Sequence, residues 1–264
     1  MKTFHTLLLL IVGFCMAMAQ DAATETAAGL YNDALAKLKA KEWNEAVDLI
    51  SKSIEIADTT EDAKVLGLAK KNGSIGSYYK GNGLLKEEKF DEAMASFKMG
   101  LDWNPASYTC AYGIAKSYDE QDSVQQAVAA YIEAANIATT AGKADRAERY
   151  VSRAGNIVGL TYGDKNYDDV IAAGEHFLAT QEDADVRYYV AKALAAKGKP
   201  SDALDHAKKA FELGGMEDEG KYQMLVAESL EATGNKSAAA AAYAKVTTGK
   251  YAKVAKYKAD ELTK

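Results

Sequence analysis

The hydrophobic pattern near the middle of the chain predicts an amphipathic helix bounded by a turn and a proline. Between residues 89 and 104, apolar side chains recur at steps of three and four, at Phe90, Ala93, Met94, Phe97 and Leu101. This spacing places them on one face of an α-helix. A proline follows at position 105 and marks the helix end, because proline lacks the N–H that a helix interior needs. A lone helix pair cannot bury such a face, so the pattern predicts further copies.

The same turn and helix recur along the chain. The copies align at one small or branched position, occupied by Ala46, Ala93, Ala127, Val170, Ala203 and Ala239. Successive positions lie 47, 34, 43, 33 and 36 residues apart. The two longer intervals contain 58–62 and 139–143, and both segments are followed by helical sequence. We therefore predict lengthened helices at these places rather than long loops.

Composition supports an all-α chain and weighs against a nucleic-acid partner. Only two prolines occur in 264 residues, alanines are frequent, and β-branched residues show no sustained alternation. The formal net charge of -6 is spread along the sequence without a basic block. Nucleic acids select positively charged surfaces, which this distribution does not offer.

The copies resemble the tetratricopeptide repeat family, whose unit is a helix-turn-helix of about 34 residues. In the second copy, Gly81, Phe90, Ala93, Phe97 and the proline at 105 occupy the signature positions of the family. The resemblance covers nearly all of the chain after residue 19, and it implies an all-α, right-handed solenoid of about six repeats. The expected repeats are 27–60, 74–107, 108–141, 151–183, 184–217 and 220–250, with a capping helix at 251–264.

The fourth copy departs from the family pattern. Its small positions carry Val158, Val170 and Phe177, whereas Gly174 stands at the usual aromatic position. Bulk is exchanged between two places in one helix, so we predict that this repeat packs differently from the others.

The first residues predict a secretory signal peptide at 1–19. An apolar run at 7–19 follows a short segment whose single positive side chain is Lys2. The run is shorter than the roughly 20 residues that a membrane-spanning helix needs. It ends in Ala17, Met18 and Ala19, a small-x-small cleavage signature. We therefore expect a secreted bacterial protein whose mature domain, 20–264, lies in the periplasm without inserting into a membrane.

The two cysteines predict neither a lipid anchor nor a disulfide. A lipobox needs a small residue directly before its cysteine, and Phe14 precedes Cys15. Cleavage after Ala19 would leave Cys110 alone, and one cysteine cannot form an intramolecular disulfide. Cys110 lies in a helical pattern without a nearby histidine or basic cluster, so we predict a buried structural residue.

Two segments resemble ligand-binding loops in their residue spacing. The segment 215–221 resembles a phosphate-binding loop, but Tyr222 follows where a serine or threonine must ligate magnesium. The segment from Asp164 to Glu175 has the oxygen-ligand spacing of a calcium loop, but Asp169 replaces the glycine of its sharp turn. We interpret the first as a turn between repeats and the second as a helix start.

No catalytic or metal-binding constellation is evident. His176 and His206 follow the predicted leader, and neither has a histidine or cysteine partner at metal-ligand spacing. The sequence contains no serine elbow and no dinucleotide fingerprint. We expect no enzyme activity, no cofactor and no metal.

The family resemblance also places a set of side chains in a concave groove. The fifth residue of each first helix falls at Tyr31, Tyr78, Tyr112, Gly155, Tyr188 and Met224. The candidate partner-binding residues are Tyr31, Tyr78, Asn82, Tyr112, Lys116, Tyr188 and Lys192. Tyrosine offers a rigid contact area and a hydrogen bond, which suits an interface. The competing interpretation is that each tyrosine packs between helices.

The resemblance implies a non-enzymatic scaffold of the bacterial cell envelope that recognises a protein or peptide partner in its groove. An alternative is an envelope assembly component that acts through its convex or end surfaces. A further alternative, a helical-solenoid sugar-binding protein or enzyme, would need a deep pocket with converging carboxylates.

Overall fold

The computed structural model describes residues 25–215 and 217–264, and gives no account of the side chains of 217–219. The predicted leader at 1–19, with Cys15, lies outside the described residues. Within these ranges the chain forms thirteen α-helices and no strand. The helices are α1 Ala27–Ala40, α2 Trp43–Ile56, α3 Ala63–Lys86, α4 Phe90–Trp103, α5 Tyr108–Asp119, α6 Val124–Thr140, α7 Ala144–Gly163, α8 Tyr167–Leu178, α9 Ala184–Ala196, α10 Pro200–Gly214, α11 Glu217–Ala232, α12 Lys236–Tyr243 and α13 Ala252–Leu262.

The chain divides into two compact units, one that ends at Gly76 and one that begins at Ser77. In the first unit, α1 and α2 form a helix pair. Thr26 caps α1 by accepting a hydrogen bond from the backbone N–H of Gly29 at 3.1 Å. The pair buries apolar side chains from both helices, namely Leu30, Ala34, Ala46, Val47 and Ile50.

The second unit repeats this helix pairing. Each helix from α4 onward packs against the next one along the chain, and α6 packs against α5, α7 and α8. The predicted all-α fold of consecutively packed helix pairs is confirmed for the described residues. The periodic apolar face of α4 is buried as predicted, with Phe97 fully enclosed. A Cβ added at Gly81 or Gly113 would come within 2.5 Å of the Phe97 ring, so these glycines allow the helices to approach it closely.

The two long intervals between copies are accounted for by two long helices. Helix α3 has 24 residues and α7 has 20, compared with 14 in α4. The extra turns of α7 lie before the fourth predicted repeat, which starts at 151. Cys110 is fully buried in α5, as predicted.

The fourth copy packs around the glycine at its aromatic position. Val158, Val170 and Phe177 are all buried, in agreement with their apolar character. An added Cβ at Gly174 would overlap the Cγ2 atom of Val190 on α9. The missing side chain of α8 is therefore replaced by a valine from the next helix.

The two segments that resemble ligand-binding loops lie at helix ends, as predicted. Asp168 and Asp169 lie in the first turn of α8, which follows its N-cap residue Asn166. Gly215 follows α10 with a φ of 57°, and α11 begins at Glu217. None of the helices among the described residues combines the length and the apolar character needed to cross a membrane.

Candidate functional site

A cleft of about 620 Å³ opens in the second unit between α5 and α7. We call it the aromatic cleft and define it by its lining residues. These are Tyr78, Tyr108, Thr109, Tyr112, Lys116, Asp119, Glu120, Tyr131, Arg146, Arg149, Tyr150 and Arg153. Helices α5 and α7 both pack on α6, so a valley remains between them. Residues spaced by three or four on each helix line the two walls.

Three of the five tyrosines that line the aromatic cleft contact one another. The ring of Tyr112 stacks on Tyr150 with a centroid distance of 4.9 Å and an interplanar angle of 19°. It also meets the edge of Tyr131 at 6.0 Å. Tyr131 and Tyr150 are buried, whereas Tyr112 is half-buried. Aromatic pairs of this kind contribute about 0.5–1.5 kcal/mol beyond the area they bury. The half-buried Tyr112 ring is therefore held in place by two buried neighbours.

An ion pair with three donors joins the walls of the cleft. The Nε and Nη2 atoms of Arg153 donate to Oδ2 of Asp119 at 2.9 and 2.7 Å. The hydroxyl of Tyr131 donates to the same oxygen at 3.1 Å. Burial and the Asp119 charge both raise the pKa of Tyr131 above its ordinary value. The hydroxyl therefore stays protonated, and the Asp119 side chain is fixed in position.

The aromatic cleft carries a positive charge in an acidic chain. Four basic residues and two acidic ones line it, which leaves a formal charge of +2, against -6 for the whole sequence. Arg149 donates to Asp145 at 2.8 Å on the surface of α7, and Lys116 lies 3.8 Å from Glu120. Both are exposed ion pairs, which are weak and can exchange for a ligand at little cost.

Titration of Tyr150 offers a test of the buried aromatic stack. Burial raises the pKa of Tyr150 to about 12, against the opposing field of Arg146. The folded chain keeps a proton that the unfolded chain releases near pH 10. The contribution of Tyr150 to stability is therefore complete below about pH 10 and is lost as the pH rises towards 12.

Ultraviolet titration near 295 nm would detect this proton. We expect Tyr150→Phe to remove one ionisation near pH 12 and to make the alkaline loss of stability less steep. Loss of an ionisation near pH 10 instead would show that the Tyr150 hydroxyl is solvated.

The structure brings together only part of the predicted groove set. Tyr78, Tyr112 and Lys116 line the aromatic cleft. Asn82 donates its side-chain N–H to the carbonyl oxygen of Tyr78 at 2.9 Å. The partner-binding role of these residues stays a prediction.

The remaining predicted residues lie elsewhere. Tyr31 belongs to the first unit, where it is buried and accepts a hydrogen bond from the Asn72 side chain at 2.6 Å. On α9, the Lys192 ammonium lies 5.9 Å from the ring centroid of Tyr188 and 3.9 Å from Glu228. Tyr188 and Lys192 do not line the aromatic cleft.

Sequence reasoning missed the residues that α7 contributes to the cleft. Arg146, Arg149 and Tyr150 lie on the extra turns of α7, before the fourth predicted repeat, and Arg153 lies just inside it. A 34-residue register assigns no groove position to turns that exceed the length of one repeat. One signal was present, because three of the four arginines in the sequence fall within 146–153, at steps of three and four.

No protein-family model and no curated protein matches this chain. Solved structures with similar helix arrangements include several tetratricopeptide repeat proteins. The C-terminal part of a repeat protein from Cytophaga hutchinsonii is 18% identical, with 82% of this chain and 78% of that chain covered and a TM-score of 0.41. A repeat protein from Parabacteroides merdae is 15% identical, with 90% and 99% covered and a TM-score of 0.36. The TPR2AB domain of yeast Sti1, in its pHSP90 complex, is 14% identical, with 90% and 98% covered and a TM-score of 0.37.

Proposed function

We propose that this all-α chain of consecutive helix pairs, whose sequence resembles the tetratricopeptide repeat family, is a non-enzymatic scaffold that binds a protein partner. The partner would lay an extended segment in the aromatic cleft. The observation that supports this is the stacked Tyr112–Tyr150 pair beside three arginines, in a cleft of about 620 Å³. Tyrosine and arginine dominate the energetic centres of protein interfaces.

The cleft suits a peptide segment for two physical reasons. The Tyr112 ring is already held by its neighbours, so a partner side chain can pack on it without ordering it first. The guanidinium groups of Arg146 and Arg149 are exposed and can donate to backbone carbonyls or side-chain carboxylates.

We also propose that the scaffold works in the bacterial cell envelope. The support is the predicted signal peptide at 1–19, which would export the remaining chain to the periplasm.

A role in envelope assembly through an end surface is a second candidate. It is favoured by α13, where Val254 and Tyr257 are 51% and 65% exposed on one side of the terminal helix. Val254→Ser with Tyr257→Ser would abolish assembly on this alternative and leave binding in the cleft unchanged.

Binding in the cleft can be tested with displayed random peptides selected on the full chain. We expect Tyr112→Ala to raise the dissociation constants of the recovered peptides by about 30-fold, which corresponds to about 2 kcal/mol of binding free energy for an aromatic anchor. Arg149→Ala combined with Lys116→Ala removes exposed charges without touching the core and should also weaken binding. Fluorescence anisotropy gives the dissociation constants, and circular dichroism checks that helicity is unchanged.

The matched control removes two exposed lysines outside the cleft, with Lys98→Ala and Lys208→Ala. This control should bind the peptides like the wild type. Equal weakening by the control, or a selection that recovers no binding peptide, would contradict the proposed function.

A further inference from the structure

A second cleft, of about 560 Å³, adjoins the aromatic cleft and shares the Asp119–Arg153 pair and Glu120 with it. We call it the acidic cleft. Its lining residues come from the end of α5, the turn into α6, the start of α6, the second half of α7 and the turn that follows α7. They are Asp119, Glu120, Asp122, Ser123, Val124, Ala127, Arg153, Ile157, Leu160, Thr161, Asp164 and Asn166. Four acidic residues and one basic residue give this lining a formal charge of -3.

One continuous face of α7 lines both clefts. The positions it contributes are 146, 149, 150, 153, 157, 160, 161 and 164, which follow the three- and four-residue steps of a single helix face. Along this face the character changes from arginine, through Ile157 and Leu160, to Asp164. Ile157 is buried, whereas Leu160 is 62% exposed, so the apolar side chain of Leu160 lies open between the two charged ends.

The cleft-lining charges of α7 run from Arg146 in the first turn to Asp164 at the C-cap. The helix dipole favours the opposite order, with negative side chains at the N-terminus and positive ones at the C-terminus. Asp145, in the same first turn, offsets this at the N-terminus by pairing with Arg146 and Arg149. The dipole therefore does not account for the basic side chains at the start of this face.

We propose that the aromatic and acidic clefts form one bipolar track along α7, which takes an extended peptide segment with acidic residues at one end, apolar residues in the middle and basic residues at the other. This inference rests on the proposed function and specifies the partner. The acidic end would lie over Arg146 and Arg149, and the basic end over Asp122 and Asp164. The Asp119–Arg153 pair is neutral as a unit, so the centre of the track suits apolar side chains.

The length of α7 sets the length of the segment. Arg146 and Asp164 are 18 residues apart, and a rise of 1.5 Å per residue gives about 27 Å along the helix. An extended peptide advances about 3.3–3.6 Å per residue. A segment of about eight residues therefore spans the track from one charged end to the other.

The test selects binders from a displayed library of random decapeptides, with the full chain as bait. We expect the wild-type bait to recover peptides in which acidic and basic residues lie at opposite ends of an apolar centre, in either chain direction. A bait with Arg146→Gln and Arg149→Gln should recover peptides that lose the acidic bias and keep the basic one. A bait with Asp122→Asn and Asp164→Asn should do the reverse. Asparagine at 122 tolerates the positive φ of 52° found there.

Synthetic copies of one recovered decapeptide allow a double-mutant cycle between the bait and the peptide. In each copy, glutamine replaces the charged residues at one end only. Each two-residue bait variant should bind the intact peptide about fivefold or more weakly than the wild type does at low salt. The same variant should cause no further loss of affinity for a peptide whose matching end is already neutral.

Three outcomes decide the inference. Recovered peptides without charge order, or with one sign of charge only, would overturn the bipolar track and leave binding in the cleft standing. The inference would also be overturned if either bait variant lost the same affinity for the peptide neutralised at its acidic end as for the peptide neutralised at its basic end. A selection without any binding peptide would overturn the proposed function, and the track with it.

Discussion

Replacing Phe97 with alanine is expected to lower the free energy of unfolding by about 3–5 kcal/mol, the range for removal of a buried aromatic ring. Phe97 is fully buried, and Gly81 and Gly113 both face its ring at distances that leave no room for a Cβ. Neither glycine can supply atoms to fill the cavity. The backbone of α3 and α5 would have to move, which the close helix packing resists. Urea unfolding followed by circular dichroism measures the change.

Phe90, at the start of the same helix, offers a matched control. Its side chain is half-buried, so Phe90→Ala removes the same atoms from a site that solvent partly reaches. We expect a clearly smaller loss of stability. Similar losses for the two variants would show that the glycine-lined site around Phe97 is not a rigid part of the core.

Alanine at Gly174 is expected to destabilise the chain by about 1–3 kcal/mol, although glycine-to-alanine changes inside helices usually stabilise. The reversal comes from Val190, whose Cγ2 atom occupies the place of the missing Cβ. Gly83→Ala is the matched control, because Gly83 lies in α3 with no atom within 4 Å of an added Cβ. That change should stabilise by about 0.5–1 kcal/mol.

A second substitution tests the mechanism. Val190→Ala removes the methyl group that Gly174→Ala would strike, so the double variant should be more stable than the sum of the two single losses predicts. Additive losses would show that the two side chains do not meet. Thermal unfolding of the four proteins gives the comparison.

The structure and the sequence agree where a residue's neighbours are decided by local periodicity. Phe97 was predicted to face the core because it repeats with the apolar positions of α4, and it is buried there. Tyr112 and Lys116 were placed in a groove by the register of the resembled family instead, and both line the aromatic cleft. Tyr188 followed the same register, but it lies against Lys192 and Lys221 on α9 and α11 instead.

By itself, the sequence determined the helix pairs, the spacing between successive copies and the apolar faces that the helices bury. Helical period, glycine and proline are local signals, and a side chain's place in the period follows from its position alone. Only the tertiary structure decided that α7 brings Arg153 to Asp119, 34 residues away, and that its extra turns stack Tyr150 on Tyr112. A repeat register describes what the copies share. Contacts made by turns outside that register depend on the distance and angle between packed helices, which no local pattern encodes.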